Sequence, residues 1–263
     1  MKHKHIAIFL MLGTLTSFSA SANLITNPSF ENTPLVDSIA FTDWNIAAQT
    51  WDIVKTKGAG HSWAVFSIIP GWQNFYGNGV ELHASGTIKT TNLSPVNAVD
   101  GNNYIELDSH FNSSNPGNSN YGISQVISGL TTGAYYDLSF WYRARTTQAN
   151  DNILNVYWSN AVAALTQGDY IARYDYNNLD NNHEQWVKYT LRLQATTSDM
   201  KLGFGGAGSA SWGMVETFNG NGKGATLDGL NLVAVSAPAN VGILFFGLLA
   251  LALRQRRLKS DSL

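Results

Sequence analysis

The 263-residue chain predicts an all-β fold, an antiparallel β-sandwich, on three observations. Apolar and polar residues alternate with a period of two along its middle. Stretches rich in Gly, Asn, Ser and Asp separate those runs, and a 3.6-residue periodicity is almost absent. With 13% charged residues, 24 glycines and 12% aromatics, the composition suits half-buried strands joined by tight turns.

The elements follow in order. Residues 80–82 form a short strand, and 104–108 alternate with Ile105 and Leu107 on one face. Residues 136–143 place Leu138, Phe140 and Tyr142 together; 154–158, 187–193 and 200–204 repeat the pattern; and 226–235 close the domain with Leu230 and Leu232 inward. Turns are expected at Asp100-Gly101, 112–120, 131–133 and 176–182. Residues 161–174 suit a short helix, 32–62 read as loops with one strand near 51–54, and Gly203 to Gly208 read as a glycine-rich loop.

Both ends carry processing signals. Lys2 and Lys4 precede an apolar stretch at 6–15, and Ala20-Ser21-Ala22 supplies small residues for cleavage after Ala22, so 1–22 is a signal peptide. At the other end a polar hinge with Pro238 leads into an apolar run at 241–253, a hydrophobic helix, followed by Arg254, Arg256, Arg257 and Lys259. Thirteen residues fall short of the roughly 20 a membrane span needs. The basic cluster keeps this end cytoplasmic while the body is exported. The segment 236–259 resembles the PEP-CTERM sorting tail, although Ser236-Ala237-Pro238-Ala239 replaces the usual Pro-Glu-Pro. The resemblance implies an exosortase-type processing enzyme, transient tethering at the inner membrane, and delivery to the cell surface or extracellular matrix.

Without its ends the body spans 23–235, enough for one domain with a real core. Six of the 16 Lys and Arg but only one of the 18 Asp and Glu lie in the terminal segments, so the body is near −7. That balance excludes nucleic acid as a partner and favours divalent cations and neutral ligands. The absence of cysteine excludes disulfides and thiolate metal sites.

Several motifs then converge. Asn27-Pro28-Ser29-Phe30-Glu31, Ile69-Pro70-Gly71-Trp72, Asp100-Gly101 with Tyr104-Ile105-Glu106-Leu107-Asp108, Ser124-Gln125, Tyr136 to Tyr142 and Leu227-Asp228-Gly229 occur in that order. Together they resemble the galactose-binding-like jelly-roll family, in particular its carbohydrate-binding modules. The resemblance implies a structural Ca2+ held by Glu31 and Asp228, since calcium takes several oxygen ligands; solvated strand-end carboxylates are the alternative.

Opposite the core phase, Tyr104, Glu106 and Asp108, then Asp137, Ser139, Trp141 and Arg143, then Asn155 and Tyr157 form an expected outward row. Aromatic rings among carboxylates, an amide and a guanidinium suit a polysaccharide or other glycan. The competing reading packs Trp141 under a loop and pairs Arg143 with Glu106 or Asp108. Trp72 serves either as an exposed platform or as a plug at the core's end, while Trp158 and Trp186 are assigned to packing. No nucleophile elbow or H-E-x-x-H occurs, and the histidines show no paired ligand spacing. The expectation is therefore a non-catalytic glycan-binding or matrix protein. A structural protein that binds other proteins, or a small glycoside hydrolase using Glu81 and Glu106, are the alternatives.

Overall fold

The computed structural model describes residues 22–34, 40–41, 50–56, 62–77, 79–87, 95–108, 120–147, 149–166, 168–179, 185–207 and 224–235. The expected signal segment before Ala22 and the C-terminal tail, with Pro238, Arg254, Arg256 and Arg257, lie outside the described residues, as do His61, His110 and His183. Among the described residues no helix is long and apolar enough to cross a membrane.

Among the described residues, twelve strands form two sheets. The larger contains β1 (Ala40–Phe41), β2 (Trp63–Phe66), β4 (Val80–Ala84), β5 (Asn103–Glu106), β12 (Thr226–Ala234), β7 (Tyr135–Arg143) and β10 (Val187–Gln194), side by side in that order. The smaller contains β3 (Gln73–Tyr76), β6 (Gly122–Ile127), β11 (Met200–Gly206), β8 (Leu154–Asn160) and β9 (Ala172–Tyr174). Every pairing is antiparallel. The expected antiparallel β-sandwich is therefore present.

Its core forms where the apolar phases of the two sheets meet. Ile105, Leu138, Phe140, Tyr142, Leu227 and Leu232 from the larger sheet join Ile123, Val156, Leu202 and Phe204 from the smaller. Trp72 is buried among them against Phe30 and Phe204, with its indole N–H donating to Asn27 O at 3.2 Å. It is a plug and not a platform.

Three local expectations fail. Residues 51–54 form a helical turn, α1 (Trp51–Val54), because Trp51 and Val54, three apart, both enter the core. Residues 161–166 and 168–171 form turns and bends that lead into β9, which pairs with β8, and not a helix. Gly203 to Gly206 belong to β11.

Residues 23 and 24 are held to β12. Leu24 N–H donates to Leu232 O, and the Asn23 side chain bridges Leu230 O and the N–H of Leu232. Phe30 adopts φ 58°, a left-handed conformation unfavourable for a bulky residue. Its ring is fully buried, while Ser29 and Glu31 on either side reach the 99–103 loop.

Candidate functional site

The expected outward row does not exist as one open surface. β12 separates β5 from β7, and β8 belongs to the other sheet, so Asn155 and Tyr157 lie on the far side of the sandwich from Tyr104 and Trp141. Tyr104, Glu106, Asp108 and Arg143 are buried. Trp141 and Asp137 keep partial exposure, with Lys188 Nζ 6.0 Å from the Trp141 ring centre and Arg192 paired with Asp137. These residues occupy the outer face of the larger sheet, but Val96, Ala98 and Trp186 pack over Tyr104 there. Trp186 and Trp158 make packing contacts as expected, each indole N–H donating to a carbonyl at 2.8 Å.

Beneath that cover lies a buried polar cluster. Glu81 on β4 and Glu106 on β5 are direct cross-strand partners, as are His83 and Tyr104. His83 is 1% exposed and lies between Trp63, with ring centres 6.1 Å apart, and Tyr104, 5.0 Å away and only 7° from parallel. Its Nε2 lies 2.8 Å from Glu81 Oε1 and 3.3 Å from Glu106 Oε2. Neither contact is aligned as a hydrogen bond, and neither ring nitrogen has a hydrogen-bond partner among the described residues. Burial disfavours the imidazolium, but the adjacent Glu106 and Glu81 outweigh that cost and raise the His83 pKa. Arg145 Nη1 reaches both Glu106 oxygens at 2.8 and 2.7 Å, and the Gly224 N–H donates to Oε1 at 2.5 Å.

Sequence reasoning paired Arg143 with Glu106 or Asp108. Glu106 is held instead by Arg145, beyond the end of β7 where alternation no longer applies, while Arg143 stands opposite Thr226 on β12. The group Glu81, His83 and Glu106 can hold a metal ion, each residue supplying one ligand atom.

The two carboxylates expected to bind calcium both grip the 99–103 loop. Glu31 Oε1 accepts from the N–H groups of Asn102 and Asn103, each at 2.7 Å. Asp228 Oδ2 accepts from Val99 and Asp100 at 2.6 and 3.1 Å, and its Oδ1 from Gly229 at 2.6 Å. Burial, aided by the charge of Asp100 and opposed by these amides, pushes the Asp228 carboxyl up to about 7.

The outer face of the smaller sheet is different in kind. Gly203 and Gly205 on β11 pair with Tyr157 and Asn155 on β8, and with Ser124 and Gly122 on β6. The result is a floor without side chains, across which Phe75 and Tyr76 lie. A Cβ on Gly122 would come 2.6 Å from Tyr76 Cδ1 and 2.7 Å from Phe75 Cε1. Phe75 meets Tyr76 and Tyr157 edge-on, at 4.7 and 5.0 Å between centres.

The Tyr76 hydroxyl donates to Gly206 O at 2.7 Å, and Asn155 Nδ2 donates to the Tyr157 hydroxyl at 3.3 Å. Asn155 is buried, yet its Oδ1 has no hydrogen-bond partner among the described residues. Phe75 and Tyr76 are half-exposed, and Tyr170 is exposed. Burial raises the Tyr157 pKa, with the nearby Asp169 and Tyr170 adding to it. Of the row read from sequence, only Tyr157 and Asn155 belong to this face; Phe75 and Tyr76 were missed. The spacing Gly203-x-Gly205 within an alternating strand was the available signal, since glycines on one strand face mark a close approach.

No family model matches the chain, and no curated protein matches it. Among solved structures it is similar to a CBM4 module (14% identity, TM-score 0.35, covering 80% of this chain and 99% of that one). It is also similar to TmCBM61 in complex with β-1,4-galactotriose (11%, 0.34, 82% and 100%). A third is the xylan-binding module CBM15 (10%, 0.36, 67% and 98%).

Proposed function

We propose that the protein is an exported, non-catalytic β-sandwich that binds polysaccharide on the outer face of its smaller sheet. The observation that carries this reading is the half-buried pair Phe75 and Tyr76 over a glycine floor, backed by the fully buried Tyr157 and by a buried Asn155 oxygen that lacks a partner among the described residues. Rings cover the apolar face of a sugar, and an unsatisfied amide oxygen accepts from a hydroxyl. The galactose-binding-like motifs of the sequence support the same reading. Hydrolysis by Glu81 and Glu106 is disfavoured because both are fully buried and Glu106 is held by Arg145, leaving no place for sugar or water.

The terminal signals support sorting by an exosortase-type enzyme, with passage through the inner membrane to the cell surface or matrix. Structural calcium joining Glu31 and Asp228 belongs to this proposal, supported by their shared hold on one loop. The test is a glycan array on the exported protein, with and without calcium. Binding to one polysaccharide class is expected, and no binding to any would refute the function.

A further inference from the structure

We propose that Glu81, His83 and Glu106 form a binding site for one small divalent cation of the zinc type, buried on the outer face of the larger sheet. Such an ion binds imidazole and carboxylate at about 2.0–2.2 Å, which puts neighbouring ligand atoms about 2.8–3.6 Å apart for angles between 90° and tetrahedral. The distances from His83 Nε2 to Glu81 Oε1 and Glu106 Oε2, 2.8 and 3.3 Å, fall in that window. Calcium takes about six to eight ligands and prefers all of them to be oxygen, whereas this group offers an imidazole nitrogen and two carboxylates.

Hydrogen bonding alone accounts poorly for the arrangement. At 1% exposure, an imidazolium with neither N–H aligned on an acceptor forfeits the bonds that would offset its burial. A shared ion uses Nε2 and both carboxylates at once without requiring either N···O line to be straight.

The surroundings orient the ligands as metal sites require. Trp63 and Tyr104 clamp the His83 ring from its two faces, so that its edge meets the carboxylates. Arg145 and the Gly224 N–H fix the Glu106 carboxylate. With the ion bound, +2 and Arg145 stand against two carboxylates, and ion and proton compete for His83 Nε2. Uptake therefore displaces a proton, and affinity falls as pH is lowered.

The test is zinc retention by the full chain, stripped with chelator, incubated with zinc in millimolar calcium and passed through gel filtration. About one zinc per chain is expected, as for a closed single site, with His83→Gln and Glu81→Gln each retaining at least about tenfold less. X-ray absorption of the zinc-loaded wild type should show one imidazole with oxygen neighbours at about 2.0–2.1 Å. No retained zinc overturns the proposal, as does zinc displaced by calcium or zinc kept by both variants. If the variants do not fold, the wild-type spectrum decides, and a shell without imidazole overturns it.

Discussion

A single methyl group on Gly205 should dismantle the aromatic face. The added Cβ would run into the Tyr76 hydroxyl and stand 2.7 Å from its Cζ, closer than packed atoms tolerate, so the ring must swing away. That movement breaks the 2.7 Å hydrogen bond to Gly206 O, worth about 1 kcal/mol. It also uncovers roughly 100 Å² of ring, half of what an aromatic side chain buries, worth about 2.5 kcal/mol. Alanine's lower backbone entropy cost returns about 0.5–1 kcal/mol.

Gly205→Ala should therefore destabilise by about 2–3 kcal/mol, or lower Tm by roughly 5–10 °C in a domain of this size. The same substitution in a Tyr76→Ala background has nothing to displace and should stabilise by about 0.5–1 kcal/mol. Urea unfolding of the four proteins yields the coupling directly, expected at about 3.5 kcal/mol. Additivity within about 0.5 kcal/mol would refute the claim that Tyr76 lies on the glycine floor.

Three further outcomes are expected. In chelator, stability should decline by roughly 2–3 kcal/mol from pH 5 to pH 8. The reason is that the folded Asp228 carboxyl, at about 7, lies above its unfolded value; the stabilising protonated form is complete below pH 4 and lost as pH rises through 7. His83, also raised, acts in the same direction, so a flat or rising urea midpoint contradicts both. Calcium should raise Tm in the wild type and not in Asp228→Ala, read by calorimetry with and without chelator; equal melting in both conditions removes calcium from the account. Mass spectrometry of the surface-exposed protein should find Asn23 as the first residue and no Arg257, and an intact Arg257 would restore a plain membrane anchor.

Strands were legible where a local period sufficed. Ile105 and Leu107, Leu138 and Phe140, and Leu230 and Leu232 all point into the core as their alternation required. The site was less legible because it depends on which strands pair. Tyr104, Trp141 and Tyr157 share an outward phase, but nothing in their own segments places β12 between β5 and β7 or moves β8 to the other sheet. For the same reason His83 read as a lone histidine, unconnected with the Glu81 and Glu106 pair, until β4 and β5 aligned all three. The helical turn at Trp51–Val54 was misjudged because four residues are too few to show a period, and tertiary burial of its two apolar residues decided the conformation.

Glycan binding by the wild type, Phe75→Ala and Trp141→Ala, measured by titration calorimetry against the best polysaccharide from the array, tests the account most directly. Phe75 is half-exposed on the smaller sheet, and Trp141 is the partly exposed aromatic of the expected row on the other. Removing Phe75 should weaken binding at least about tenfold, or 1.4 kcal/mol, while removing Trp141 leaves it unchanged. Loss of binding in Trp141→Ala with full affinity in Phe75→Ala would place the ligand on the opposite face and contradict the account.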